Sequence, residues 1–201
     1  REKVTLEAVG EEVRVRLGEE VQAFDAVVLS SGAWVKELLE PLGYYVDVRP
    51  QKGQLIELTV ETTEDTSKWP VCMLHGEIDI LPFPDGNILV GATHENTQGF
   101  DLVPDEELLN GMYEEACASL PSLKNAKRSG VRVGTRAYTS DFLPFFGEVP
   151  NTTNAFVASG LGSSGLTSGV WIGELLARMA AGEEVGFSVE KYTPQNYVRK
   201  V

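Results

Sequence analysis

Alternating apolar and polar positions mark the beginning of the chain. The segments KVTLEAV and EVRVRL alternate regularly, and Gly10 and Gly18 stand where the alternation stops before the next segment, VQAF. A period of two is typical of strands with one buried face, and glycine is typical of the tight turns that join them. The pattern therefore predicts a three-stranded β-meander.

A continuous apolar run follows the meander. Residues 26–29 read AVVL, and after them SSGAWVKELLEPLG supplies small residues and then a short helical pattern. An apolar run without alternation is typical of a strand that is buried on both faces. The strand, turn and helix together match the outline of a dinucleotide-binding element, although a plain connection of this kind occurs in any α/β protein.

The sequence pattern in the middle of the chain predicts a largely antiparallel sheet with one helix. The segments KGQLIELTVET, GEIDILPF and NILVGAT predict strands, and residues 84–86, Pro-Asp-Gly, predict a turn between two of them. A helix is predicted from Asp105 to Leu120, because Pro104 and three acidic residues suit a helix start. SGVRVGTRAY predicts a further strand.

The last apolar strand, AFVAS, leads into GLGSSGLTSGVWIGELLARMAAG, for which a helix is predicted from about Ser163. Small residues recur every fourth position along it and should form a strip against which another element or a ligand packs closely; these are Gly165, Gly169, Gly173, Ala177 and Ala181. The glycines before the helix leave backbone N–H groups free where the helix dipole favours negative charge. A simple tight turn is the alternative reading.

Composition and charge narrow the class of protein. The 201 residues are 42% hydrophobic and 23% charged, which is typical of a soluble globular protein. With 17 Lys and Arg against 30 Asp and Glu, the net charge is −13, which argues against nucleic acid as a partner. The sequence shows no transmembrane segment and no signal peptide, so we expect a cytoplasmic protein. Cys72 and Cys117 lie too far apart for a metal or disulfide pattern, and we expect two buried thiols and no metal.

Several motifs in order carry a family resemblance. FDAVVLSSGAW, KGQ, ILPFPDGNILVGATHENTQGFD, GTRAYTSDFLPFFG and FVASGLGSSGLTSG together resemble the D-amino-acid oxidase superfamily of FAD-dependent oxidoreductases, which includes glycine oxidase, sarcosine oxidase and related D-amino-acid dehydrogenases. Members of that family begin with a strand, a G-x-G-x-x-G turn and a helix that hold the FAD pyrophosphate. We expect this chain to contain no such motif, and it starts at Arg1, so we expect the C-terminal portion of a longer protein.

The resemblance implies a fold of mixed α/β and α+β class. Residues 1–48 are similar to the later part of a Rossmann-like FAD-binding domain that lacks its N-terminal G-x-G-x-x-G unit. Residues 49–140 are similar to a substrate-binding domain built on a mixed, largely antiparallel sheet with flanking helices, and residues 141–201 return to the FAD-binding domain. If a central parallel strand is missing, an exposed sheet edge should lead the isolated chain to form homo-oligomers.

The resemblance also implies a noncovalent FAD and names the segments that would contact it. One segment is the turn after the first buried strand, and the other is the glycine-rich helix start, whose N–H groups would face the flavin. The implied FAD-contacting residues are Ser31, Gly32, Ala33, Trp34, Gly160, Leu161, Gly162, Ser163, Ser164, Gly165, Leu166 and Thr167. Some relatives place a His or Arg in this loop, whereas this sequence has two serines there.

For the substrate, the resemblance points to Arg136 in GTRAY, which would grip the carboxylate of a small amino acid. Ala137 stands where many relatives have proline. Tyr138 would share the face of Arg136 on a regular strand and line the same pocket, with a core aromatic as the alternative. His75 is a weaker candidate for the pocket and His94 weaker still. Lys52 and Gln54 either approach the site or form a charged strand entrance, which we favour.

The implied reaction oxidises the C–N bond of a small amino acid by hydride transfer to FAD and gives an imine. Arrangement of the substrate over the flavin would do most of the work, so no nucleophile is required. Two alternatives stay open from the sequence: a non-catalytic fragment that cannot hold FAD alone, and a flavin-free binding or scaffold module with the same fold. The sequence leaves open which amino acid or amine is used and which molecule accepts the electrons.

Overall fold

The structure is a computed structural model, and it describes residues 3–74, 76, 78–186 and 188–201. The chain divides into two compact units. The first combines Arg1–Pro50 with Arg136–Val201, and the second is Gln51–Thr135. The cofactor and substrate roles assigned from the sequence to residues 1–48, 49–140 and 141–201 stay a prediction.

The first unit contains the predicted meander and two smaller sheets. Its strands are β1 (Val4–Val9), β2 (Glu12–Leu17), β3 (Glu20–Gln22), β4 (Val27–Leu29), β5 (Tyr44–Val46), β11 (Phe145–Glu148), β12 (Ala155–Ser159) and β13 (Val198–Lys200). β1, β2 and β3 form the antiparallel meander, β11, β12 and β4 form a second sheet in that order, and β5 pairs with β13. Among the described residues of this unit, the α-helices are α1 (Val35–Leu39) and α3 (Gly165–Ala180).

One buried side chain ties the meander to the second sheet. Asn154 stands just before β12 and is 7% exposed. Its Oδ1 accepts a 2.8 Å hydrogen bond from the N–H of Val13, and its Nδ2 donates to the carbonyls of Val13 and Phe24 at 2.9 and 3.0 Å. Because a buried amide without partners is costly, these three bonds fix the meander against the start of β12.

In the part of the chain that the structure describes, the second unit is a five-stranded sheet covered by one α-helix. Its strands are β6 (Arg49–Thr59), β7 (Cys72–Met73), β8 (Asp79–Pro82), β9 (Asn87–Gly91) and β10 (Lys127–Tyr138), and their order is β10-β6-β9-β8-β7. The first two residues of β6 and the last three of β10 belong to the first unit. The pairs β6–β9, β9–β8 and β8–β7 are antiparallel, as the sequence predicts. The helix α2 (Glu106–Ser119) begins after Asp105, whose carboxylate accepts hydrogen bonds from the N–H groups of Glu107 and Leu108.

Alternation on the strands builds the core of this unit. Ile56, Leu58, Ile88 and Val90 are at most 1% exposed and pack with the buried face of α2. That face consists of Leu109, Met112, Ala116 and Cys117. Helical spacing in the sequence predicts one apolar face formed by Leu108, Leu109, Met112 and Ala116, but Leu108 is 43% exposed. Cys117 is buried as expected, but the expectation was wrong for Cys72, which is only partly buried on the short strand β7.

One expectation about the first unit was also wrong. The run AVVL predicts a strand buried on both faces, but Val28 is 45% exposed, because β4 is an edge strand of its sheet among the described residues. The strip of small residues on α3 has little protein packed on it among the described residues, and the packing of a ligand there stays a prediction. A Cβ added at Gly165 or Gly169 would meet only Leu161, and at Gly173 it would meet nothing within 4 Å. The helix buries another face, through Ile172, Leu175 and Leu176.

Candidate functional site

The two segments predicted to contact FAD leave the same edge of one sheet. β4 and β12 are parallel, with Val28 opposite Phe156 and Leu29 opposite Val157. The chain therefore emerges from both strands at their carboxyl ends, into residues 30–34 after β4 and residues 160–167 after β12. In open α/β sheets this edge is where ligands bind, because loops and helix starts converge there.

A hydrogen bond joins the two segments directly. The hydroxyl of Ser159, the last residue of β12, donates to the main-chain carbonyl of Gly32 at 2.8 Å. Ser159 is 1% exposed, so this hydroxyl lies in the interior. Gly32 has a φ of +57°, which turns its carbonyl toward Ser159 in a conformation that favours glycine. The bond sets the spacing between the turn after β4 and the glycine-rich loop.

The glycine-rich loop depends on two residues with positive φ. Gly160 and Gly162 have φ of +75° and +54°. Gly160 is also crowded, since a Cβ there would lie 2.9 Å from Cγ2 of Thr139 and 3.0 Å from the carbonyl oxygen of Leu143. Glycine is therefore required at position 160 both for its backbone conformation and for the close approach of the neighbouring loop.

The start of α3 lies in this loop. The α-helix begins at Gly165, after a 3-10 turn over Gly162–Ser164, and so two residues later than predicted. Ser164 occupies the N-cap position, but its hydroxyl donates to the carbonyl of Leu161 at 2.8 Å and makes no cap hydrogen bond. The first N–H groups of a helix have no partner within it, and the dipole at this end favours negative charge.

The loop also has a spacing that the sequence reasoning missed. Residues 160–165 read GLGSSG, which is itself a G-x-G-x-x-G pattern between a strand and a helix. The usual dinucleotide-binding unit continues from the helix into a parallel strand of the same sheet. Here the strand after α3 is β13, which pairs antiparallel with β5 in a different sheet. The pattern is therefore present without that context among the described residues.

The turn after β4 contains an unsatisfied polar group. The hydroxyl oxygen of Ser31 is buried and has no hydrogen-bond partner. Ala33 is 3% exposed, whereas Trp34 is 43% exposed. A buried hydroxyl without a partner is costly in a folded protein, and a polar ligand at the strand ends would satisfy it. The free hydroxyl and the uncapped helix start are the features of the described residues that fit FAD.

The end of β10 runs beside the glycine-rich loop. A Cβ added to Gly162 would lie 3.9 Å from the carbonyl oxygen of Ala137. Arg136 and Tyr138 flank Ala137, and on a strand their side chains leave from the opposite face. Arg136 is partly buried and Tyr138 is 8% exposed. The structure thus brings the strand that bears both predicted substrate residues next to the predicted flavin-facing loop.

An acidic and a phenolic side chain brace the loop that follows β10. The hydroxyl of Tyr197 donates to Oδ2 of Asp141 at 2.9 Å. Burial raises the pKa of Asp141, but hydrogen bonds from the Leu143 N–H and the Tyr197 and Thr139 hydroxyls outweigh it and leave that pKa below its usual value. Burial, and then the bond to Asp141, raise the pKa of Tyr197 to about 12. Both shifts preserve the bonded pair at neutral pH.

The remaining candidates lie elsewhere or outside the described residues. His75 is outside them, and His94 is an exposed residue in the loop after β9 of the second unit. Lys52 is 3% exposed, and its Nζ bonds to Oδ2 of Asp101 at 3.2 Å and to the Val103 carbonyl. Lys52 therefore holds the segment between β9 and α2 from within the second unit.

Gln54, 0% exposed, acts on the same segment as Lys52. Its Nε2 donates to Oε1 of Glu95 at 2.7 Å, and its Oε1 accepts from the N–H of Asp105 at 2.8 Å. Lys52 and Gln54 are thus buried and hold the segment between β9 and α2 by hydrogen bonds, in contrast to the charged strand entrance that the sequence favoured. A polar residue in a strand gives no sign of partners about fifty positions away, so sequence reasoning missed this role.

No helix among the described residues is long and apolar enough to cross a membrane.

Comparisons with known proteins give a consistent result. The model of the family described as FAD dependent oxidoreductase (DAO) matches residues 1–179. The uncharacterized oxidoreductase YurR of Bacillus subtilis (strain 168) is 40% identical over 175 residues, which are 86% of this chain and 46% of that protein. The glycine oxidase of Pseudomonas putida is 32% identical over 181 residues, which are 90% of this chain and 48% of that protein.

A solved structure shows the same relationship in three dimensions. The crystal structure of iminodiacetate oxidase (IdaA) from Chelativorans sp. BNC1 superposes with a TM-score of 0.90 and 32% identity, over 96% of this chain and 52% of that one. A glycine oxidase from Geobacillus kaustophilus superposes with a TM-score of 0.87 at 23% identity, which supports the fold. The chain spans about half the length of the curated relatives it matches.

Proposed function

Because the chain belongs to the DAO family of FAD-dependent oxidoreductases, we propose that the protein containing it oxidises the C–N bond of a small amino acid to an imine. Family membership supports an FAD-dependent oxidoreductase that acts on amines. The choice of a small amino acid rests on the glycine oxidases and the iminodiacetate oxidase among the relatives, and on Arg136, which adjoins Ala137, the residue whose carbonyl lies near the proposed cofactor loop.

One observation carries the proposal. The turn after β4, the glycine-rich loop and the end of β10 converge within the first unit, through the Ser159–Gly32 hydrogen bond and the approach of Ala137 to Gly162. A cofactor loop and a substrate-binding strand must be neighbours if a substrate is to lie over the cofactor. These contacts, in which main-chain groups take part, support that arrangement.

Ser31 and the start of α3 would hold FAD. The unpartnered Ser31 hydroxyl can bond to a polar group of the cofactor, and the N–H groups at the start of α3 favour the electron-rich edge of the flavin. When bound, FAD supplies the acceptor for the hydride that leaves the carbon next to the amine. Gly162 keeps the backbone of this loop free of a side chain, so that a planar group can come close to it.

Arg136 would bind the carboxylate of the substrate. A guanidinium presents two parallel N–H groups that match the two oxygens of a carboxylate, so it fixes orientation as well as position. With the carboxylate held, the Cα–H bond of the substrate is directed and the neighbouring amine stays available for imine formation. The amine must be neutral when its carbon loses hydride, and the proton that it gives up goes to water.

The experiment is an FAD titration followed by substrate reduction. The complete natural polypeptide that contains residues 1–201 should take up FAD and acquire visible flavin absorbance, which anaerobic glycine or a small D-amino acid should bleach. Without FAD uptake, the flavin-free module would be the better reading. FAD uptake without bleaching by any small amino acid would contradict the proposed substrate class alone.

Arg136→Lys tests the role of the arginine. We expect it to raise KM for the amino acid by on the order of tenfold or more, because a lysine cannot form the paired hydrogen bonds. Arg132→Lys is the matched control, since Arg132 lies on the same strand but is exposed and pairs with Glu57. An equal effect of both substitutions would remove the carboxylate role from Arg136.

A further inference from the structure

The loop between β10 and β11, residues 139–144, lies at the same sheet edge as the proposed cofactor segments. Phe145 at the start of β11 pairs with Ser159 at the end of β12. The loop that precedes Phe145 therefore arrives where the glycine-rich loop begins. Gly160 confirms the contact, because its α-carbon faces Thr139, Leu143 and Pro144.

Phe142 holds an unusual conformation in this loop. Its φ is +62°, in the left-handed region that bulky side chains rarely adopt. Hydrogen bonds around it leave little freedom: its own N–H donates to the Thr139 carbonyl at 3.2 Å, and the Thr139 hydroxyl donates to the Leu143 carbonyl at 2.7 Å. Strain of this kind persists where the surroundings determine the backbone, and it concentrates at ligand-binding positions.

The ring of Phe142 is both fixed and exposed. It stacks on Tyr138 with centroids 5.5 Å apart and planes 16° apart. Tyr138 is 8% exposed, but Phe142 is 68% exposed. A strained backbone thus holds an apolar ring in solvent. Tyr138 covers one side of the Phe142 ring, and the rest of the ring is exposed. A glycine would adopt this φ without strain. The presence of phenylalanine here therefore indicates that its aromatic ring contacts a ligand.

We propose that Phe142 is a contact residue for the planar ring system of the bound flavin. This inference rests on the proposed function, since it takes FAD as the ligand. A rigid aromatic face is complementary to a flat aromatic ring, and stacking of this kind is a substantial source of affinity for planar heterocycles. A small amino acid offers no such ring, whereas the flavin would lie along the loop that Phe142 adjoins.

The test compares variants that differ at the ring. Phe142→Leu keeps an apolar side chain and the positive φ but removes the aromatic face, and Phe142→Trp keeps an aromatic face. In the complete natural polypeptide we expect Phe142→Leu to raise the Kd for FAD by about fivefold or more, and Phe142→Trp to leave it within about twofold. Kd is measured by titration of apoprotein, followed by flavin absorbance and fluorescence.

Two further variants serve as controls for backbone strain and for the position of the substitution. Phe142→Gly removes the ring and relieves the backbone strain, so it should fold and should also bind FAD at least about fivefold more weakly. Phe83→Leu makes the control substitution at a phenylalanine that is 44% exposed in the second unit, and it should not change the Kd. Unfolding temperatures of the apoproteins identify any variant whose loss of affinity comes from loss of fold.

The outcomes separate this inference from the function on which it rests. Wild-type affinity in both Phe142→Leu and Phe142→Gly would overturn the contact while leaving FAD binding in place. Weak binding by Phe142→Trp as well as Phe142→Leu would also overturn it, because an aromatic face would then not be the requirement. No FAD uptake by the wild-type protein would overturn the proposed function and this inference together.

Discussion

The hydroxyl of Ser159 and the carbonyl of Gly32, 127 positions apart in the sequence, are joined by a 2.8 Å hydrogen bond at the ends of two parallel strands. The bond is local in space and remote in sequence. It fixes the relative position of the two segments that the proposed function assigns to FAD.

Removal of this bond should weaken the fold and the cofactor site together. Ser159→Ala leaves the Gly32 carbonyl without its serine donor, and we expect the free energy of unfolding to fall by about 1 kcal/mol. The measurement is urea unfolding of the purified chain followed by circular dichroism. Ser159 is 1% exposed, so alanine can occupy its place without a clash.

Ser168→Ala is the control for that substitution. The Ser168 hydroxyl donates to the carbonyl of Ser164 within α3, at the protein surface. Alanine favours helix more strongly than serine, so this change should leave the free energy of unfolding the same or slightly higher. Equal destabilisation by both substitutions would mean that the Ser159–Gly32 bond contributes nothing specific.

Gly160→Ala should be strongly destabilising. Alanine there adopts a φ of +75° and places its Cβ 2.9 Å from Thr139 and 3.0 Å from the Leu143 carbonyl. Backbone strain alone costs on the order of 1–3 kcal/mol, and the clash adds to it, so we expect a loss of about 2 kcal/mol or more. Thermal and urea unfolding of the purified variant measure the loss.

The chain provides a matched control at another glycine. Gly182 has the same φ of +75°, but a Cβ added there would meet nothing within 4 Å. Gly182→Ala therefore reports the backbone cost alone, and the difference between the two variants reports the packing of the 139–144 loop on Gly160. If the two variants lost the same free energy of unfolding, the 139–144 loop would accommodate the added Cβ at position 160 without an energetic cost, contrary to the close approach seen in the structure.

The Tyr197–Asp141 pair should make stability depend on pH at the alkaline end. The pKa of Tyr197 is raised to about 12 from an ordinary value near 10, so the folded state holds its proton more tightly than the unfolded state. This contribution is fully present below about pH 10 and is lost as the pH rises through about 12. Unfolding measured from pH 8 to 11.5 should show a steeper fall for the wild type than for Tyr197→Phe.

The opposite end of the pH range tests the acidic partner. The pKa of Asp141 lies below its usual value, so its contribution to the free energy of unfolding is present above about pH 4 and is lost as the pH falls through the lowered value.

Tyr45→Phe, which removes a phenol that is 40% exposed, is the control for the measurements on Tyr197 at alkaline pH. If Tyr45→Phe and Tyr197→Phe gave the same alkaline slope, the burial of Tyr197 and its bond to Asp141 would not be the cause.

Much of the fold could be predicted from short stretches of sequence. The meander follows from alternation and two turn glycines, and α2 begins at Glu106, directly after its N-cap Asp105 and one residue later than its acidic start predicts. The family resemblance added what no local pattern contains, the order of motifs that matches residues 1–179 to the FAD dependent oxidoreductases. The confirmed parts are those in which each residue type acts through its immediate neighbours.

The parts that could not be predicted depend on distant partners. The exposure of Val28 follows from the place of β4 at the edge of its sheet, which the letters AVVL do not state. The burial of Lys52 depends on Asp101, and the fastening role of Asn154 depends on Val13, 141 positions away. The strained conformation of Phe142 could not be predicted, because it is a property of the backbone angle φ and the sequence around it indicates only a turn.

The interrupted first unit has a consequence for how the protein is made. Its two pieces, Arg1–Pro50 and Arg136–Val201, are separated by the whole of Gln51–Thr135. A ribosome that releases the chain from its amino end delivers β4 long before β12, its parallel partner, so these two strands can pair only after the whole inserted unit has been made. We expect the inserted unit to fold first during synthesis, and the pairing of β4 with β12 to follow it.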